Sequence, residues 1–131
     1  MLLAVAHGLE SGVLCESPGH NALVESFAIH LRNLVEFLWS DKPKNDQVIA
    51  EDYFALPDDW RSVRGAIPEA LRAARIRAAK EVTHLTYARL LVTEARKGWS
   101  FVALSREIMK TFRLYLRNVP TETLGESWKK P

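Results

Sequence analysis

Arg77 and His84 are the residues of this sequence best equipped for chemistry. Seven positions apart on a regular helix, they differ by about 20° around the axis and about 10 Å along it. An arginine is long enough to reach towards an imidazole on the same face, and a phosphate could bridge the two. The planar guanidinium fork suits the non-bridging oxygens. The imidazole titrates near neutrality and can move a proton. That is the minimum equipment for metal-free RNA cleavage, in which the ribose 2′-hydroxyl attacks, the arginine stabilises the added negative charge and the histidine serves as acid or base. The same spacing also occurs on ordinary solvated helices, so by itself it leaves a structural reading open. Lys80, Tyr87 and Leu91 fall on the same side of the projected helix. A plain solvent face has no need of Tyr87 or Leu91, and the mixture suits a subunit interface or a site. Lys80 and Tyr87 are therefore candidate substrate-binding residues.

A second constellation is His30 and Asn33. His30 shares a face with Leu23, Phe27, Leu34 and Phe37, which fits a histidine satisfied within the core. The functional alternative brings His30 and Asn33 to the His84 face, where they complete a polar pocket. Arg32 and Glu36 are spaced as an i,i+4 surface pair. Glu81-Val-Thr-His84 has the Glu-x-x-His pattern of di-metal bundles, but no second such pair exists and no metal is expected. There is no Gly-x-Ser-x-Gly and no glycine-rich phosphate loop, so no cofactor is expected either. His7 and His20 have no evident partners. Trp39, Trp60, Trp99 and Trp128 are most simply packing residues.

The run Arg77-Ala-Ala-Lys-Glu-Val-Thr-His84 resembles the R-x(4–6)-H motif of HEPN-domain proteins. Glu25-Ser-Phe-Ala-Ile-His-Leu-Arg-Asn-Leu34 and Lys80-Glu-Val-Thr-His-Leu-Thr-Tyr-Ala-Arg89 are also similar to segments of small bacterial HEPN-like proteins. The resemblance implies an all-α bundle that often dimerises, with motif residues of two subunits facing each other. It implies a metal-independent endoribonuclease of a toxin or defence type, with Arg77 and His84 as the catalytic pair and RNA as substrate. An antitoxin or other protein partner is part of that expectation. Some members keep the fold without the activity, so the alternative is a non-catalytic interaction module that binds a protein partner or nucleic acid. The sequence departs from the usual motif at Ala78, where a polar residue often follows the arginine.

Four longer helices must position these residues. Leu2, Val5, Ala6, Leu9 and Val13 give a first helix over about Leu2 to Leu14, weakened by Gly8 and Gly12. Ser17-Pro18 is a good helix start, and apolar residues recur to about Trp39. Asp41 to Asn45 breaks the pattern. A short helix over Val48 to Phe54 is followed by a long connection marked by Pro57-Asp-Asp59 and Gly65. A third helix opens at Pro68 and continues through Leu71, Ala74, Ala78, Val82, Leu85 and Val92 to Lys97, with Gly98 as its stop. The fourth spans about Trp99 to Val119, its buried stripe flanked by Arg106, Lys110, Arg113 and Arg117. That basic stripe could follow a nucleic-acid backbone, and a solvated rim is the simpler reading. No stretch alternates with period two. The expected fold is an all-α, mostly up-down four-helix bundle with one or two extra short helices, one domain over residues 1–131 with a flexible tail over 120–131.

Composition narrows the classes further. With 47% apolar and 26% charged residues the chain has the makeup of a folded globular protein, not a disordered one. A net charge of +2 permits a nucleic-acid partner without arguing for one. Arg61, Arg64, Arg72, Arg75, Arg77 and Lys80 cluster, as on a solvated helix face. Cys15 is the single cysteine, which rules out an internal disulfide and fits the cytoplasm. The apolar start is short and lacks a basic flank, so no signal peptide is read. No apolar run is long enough for a membrane span.

Overall fold

The computed structural model describes residues 1–12, 18–42, 46–83, 87–93 and 98–125, and among them it contains helices and no strands. Five α-helices are formed: α1 Leu2–Glu10, α2 Pro18–Trp39, α3 Pro57–Arg64, α4 Glu69–Arg77 and α5 Phe101–Asn118. Single 3₁₀ turns lie at Ala50–Tyr53, Tyr87–Leu91 and Thr121–Thr123, and a π-helical stretch at Ala78–Thr83 follows α4 directly. No helix of the described residues is long and apolar enough to cross a membrane.

The apolar spacing of α2 and α5 makes them the two walls of the core. Phe27, Leu31, Val35 and Leu38 repeat at four and three residues and are each at most 1% exposed. Phe101, Leu104, Ile108 and Tyr115 form the buried stripe of α5, and Val119 is buried just after its end. Helix α1 packs on both. Its last residue ties the ends of the fold together: a Glu10 carboxylate oxygen accepts the Val102 amide hydrogen at 2.9 Å. That amide belongs to the first turn of α5, which has no helical partner to offer it and where negative charge suits the helix dipole.

Two expectations about helices need correction. Pro57-Asp-Asp59 opens α3 where the sequence reads as a connection: proline is at home in a first helical turn, and the aspartates complement the dipole there. Gly65 ends α3 with φ 66°, a conformation that a side chain would strain. The long helix expected from Pro68 to Lys97 is also absent. Helix α4 stops at Arg77, and the chain passes through the π-helical stretch and the Tyr87–Leu91 turn. Twenty-one residues of straight helix would carry Gly98 about 31 Å from Arg77. Instead the Arg77 side chain donates to the Gly98 carbonyl at 2.7 Å, so the chain has doubled back.

Helix α3 closes one end of the core. Trp60 is fully buried, stacks on Phe54 at 5.8 Å, meets Tyr115 edge-on at 5.4 Å and donates its indole hydrogen to the Leu38 carbonyl at 2.9 Å. Beside it lies an ion-pair network. Glu51, only 5% exposed, accepts from Arg61 Nη2 and Nε at 2.7 and 2.8 Å and from Arg64 Nη2 at 3.4 Å. Asp41 also accepts from Arg64 Nη2. Arg64 keeps only 7% of its side chain exposed, so at least this member of the basic cluster is not on a solvated face. Among the described residues, Trp39 Nε1, Arg64 Nε and Ser105 Oγ are buried without a hydrogen-bond partner. Each such orphan costs about 1–3 kcal/mol.

Burial raises the Tyr115 hydroxyl from its ordinary 10.0 to about 12, with a smaller contribution from Tyr53. The folded state then holds this proton over a pH range where the unfolded chain has lost it. The group's stabilising contribution is full below pH 10 and disappears as pH rises towards 12. Denaturant unfolding followed from pH 9 to 12 is expected to show Tyr115→Phe escaping about 2 kcal/mol of the alkaline loss suffered by the wild type. Parallel pH profiles for the two proteins would refute the assignment.

Candidate functional site

Arg77 is the last residue of α4, and Glu81, the returning Gly98 and Trp99, and the start of α2 surround it. Its Nε donates to Glu81 at 2.6 Å, its Nη1 to the Gly98 carbonyl at 2.7 Å, and its guanidinium carbon lies 4.2 Å from the centre of the Trp99 ring. Both members of the Arg77–Glu81 pair are largely buried, at 22% and 14% side-chain exposure. Arg77, Gly98 and Trp99 form the wall between two cavities. One, about 400 Å³, is an apolar groove between α4 and α5. The other, about 550 Å³, is lined by His20 and Asn21 of α2 together with Arg77, Glu81 and Trp99.

The second cavity has an acid–base residue, a cation, a carboxylate and an aromatic wall, the ingredients for holding a polar, planar or anionic ligand. Charge works against the anion while Glu81 is seated. At an effective dielectric near 20, two like unit charges 4 Å apart repel by about 4 kcal/mol. Phosphate capture by Arg77 therefore requires Glu81 to move aside or be protonated.

The other described residues singled out by spacing are dispersed. His84 lies outside the described residues. The stretch that leads to it is π-helical, with i→i+5 bonding, so the rotation of a regular helix does not apply between Arg77 and His84. Lys80 is exposed on this stretch, and Tyr87 is 90% exposed beyond it. His30 is half-buried on α2. Asn33 is exposed and lines a different cavity, with Arg32, Glu36 and Gln47. The Arg32–Glu36 pair forms as spaced, at 2.9 Å. Twelve residues separate Asn33 from Asn21, about 18 Å of helix, so it is the start of α2 that reaches the Arg77 cavity. His20 is the residue that spacing missed. A lone histidine in a first helical turn carries no pattern, and its place beside Arg77 comes from the packing of α2 on α4 and the π-helical stretch.

No group of three or more metal-ligating side chains is present among the described residues. No family model matches the chain, and comparisons with curated proteins and with solved structures found no match.

Proposed function

We propose that the chain is a HEPN-like helical interaction module that pairs with a second copy of itself through the segment 87–91. The observation that carries this reading is the exposure of Tyr87, Leu90 and Leu91, at 90%, 80% and 73%, within one turn of five residues. Burying such side chains is worth about 1.5–3 kcal/mol each. A twofold contact sets the same patch of both subunits face to face. Arg77 then acts as a structural residue. Its contacts to Glu81, Gly98 and Trp99 hold the bend from which the exposed turn projects.

Sedimentation of wild type and of the Leu90→Asp/Leu91→Asp variant tests the reading. The expected result is a dimer for the first and a monomer of unchanged helicity for the second. A wild type that stays monomeric up to its solubility limit refutes pairing with itself and moves the patch to another protein, such as an antitoxin.

The shared lining of one cavity by His20, Arg77 and Glu81 favours a second reading, RNA cleavage. Arg77 would hold phosphate once released from Glu81, Trp99 would offer a ring for a base, and His84 keeps the proton-transfer role that the HEPN resemblance implies. Cleavage of single-stranded RNA in EDTA by wild type and not by His84→Ala, leaving 2′,3′-cyclic phosphate ends, is its signature. Equal cleavage by both proteins removes His84 from the site.

A further inference from the structure

Another cavity, about 400 Å³, shares no residue with the one that holds His20. Its wall contains Trp39 from the end of α2, Arg64 from the end of α3, and Glu107, Lys110, Thr111 and Arg117 from α5. Two of the three orphaned polar atoms of the described residues belong to residues that line it, Trp39 Nε1 and Arg64 Nε, and both lie beneath its surface. Trp39 is 8% exposed and the Arg64 side chain 7%. Folded proteins leave few buried donors unpaired, and two in one wall point to a missing acceptor.

The chemistry of that acceptor follows from the lining. Trp39, Arg64, Lys110 and Arg117 can only donate hydrogen bonds, and Thr111 can do either. Three of the charged groups are cations, and Glu107 is the one anion. A tetrahedral oxyanion offers several acceptor oxygens and up to two negative charges at neutral pH. Pro68 and Leu114 add an apolar side to the cavity, which is larger than a bare ion needs. Arg64 Nη2 is already held by Asp41 and Glu51, which fixes the guanidinium and leaves Nε without a partner.

We propose that this cavity binds a phosphoryl oxyanion, as free phosphate or as the phosphate of a small monoester, with Trp39 Nε1 and Arg64 Nε as inner donors and Lys110 and Arg117 as its cations. Both inner nitrogens are closed to water in the unliganded fold. Binding therefore includes a small outward movement of side chains, for which the exposed Lys110 and Arg117 are suited. This assigns part of the basic stripe of α5 to a ligand rather than to a solvated rim.

The test is an NMR titration of the full chain that follows the Trp39 indole N–H resonance, identified by its disappearance in Trp39→Phe. The probes are inorganic phosphate and ribose 5-phosphate, with sodium chloride at matched ionic strength as control. A saturable downfield movement with phosphate, weakened at least about tenfold in Lys110→Ala/Arg117→Ala, is the expected result. Tighter binding of ribose 5-phosphate assigns a monoester, and equal binding assigns free phosphate. No movement, a movement reproduced by chloride, or unchanged affinity in the double variant overturns the proposal. Both substituted residues are exposed, so the variant retains the fold and each outcome is readable.

Discussion

Trp60→Ala is expected to lower the unfolding free energy by about 3–5 kcal/mol, near the top of that range. The side chain is fully enclosed, and its removal takes away the stack on Phe54, the edge contact with Tyr115 and the hydrogen bond to the Leu38 carbonyl. A domain of this size has about 5–15 kcal/mol in total, so the variant is expected to be partly unfolded at physiological temperature. Trp60→Phe separates the two contributions. It keeps much of the ring packing and loses the hydrogen bond, for an expected loss of about 1–3 kcal/mol. Urea unfolding followed by circular dichroism measures both, with Leu56→Ala, at an exposed site, as the control expected to change little. A loss below that of Leu56→Ala would show that α3 does not seal the core.

The second large effect is expected at Glu51. Glu51→Ala removes the carboxylate shared by Arg61 and Arg64, and leaves Arg64 with its charge buried and only the exposed Asp41 opposite it. Breaking a buried pair from one side costs about 3–5 kcal/mol. Replacing both partners by apolar residues removes the uncompensated charge, so Glu51→Met/Arg64→Met is expected to be more stable than Glu51→Ala by about 2 kcal/mol or more. The comparison, again by urea unfolding, distinguishes a network that stabilises by charge from one that fills space. If the double variant is the less stable of the two, packing by the arginine stem outweighs the burial of its charge.

Helices α2 and α5 were legible because their information is local. Pro18 starts one, and both carry apolar residues at intervals of three and four with no interruption. Helix α3 was hidden because Pro57 and two aspartates serve a turn and a helix start equally well. The end of α4 was hidden for a different reason. Ala78 and Val82 continue the apolar seam beyond Arg77, so periodicity gave no sign that the backbone changes to wider bonding there. Only the return of Gly98 and Trp99 to Arg77, across twenty-one residues, reveals the bend. The candidate site was partly legible: Arg77 stood out, His20 did not, and His84 lies outside the described residues. Glu51 and Arg64, thirteen residues apart across a helix boundary, have no signature of their own.

The Glu10–Val102 hydrogen bond has a consequence for the order of folding. A nine-residue helix is too short to hold itself together in water, so α1 persists only while docked on α2 and α5. Its partner on α5 lies ninety-two residues further along. During synthesis α1 must therefore wait for α5. Until then its apolar side, with Leu2, Ala6 and Leu9, has only α2 to rest on. Closing so long a loop is entropically late, and α1 is expected to join after the transition state, so that mutations within it speed unfolding far more than they slow folding.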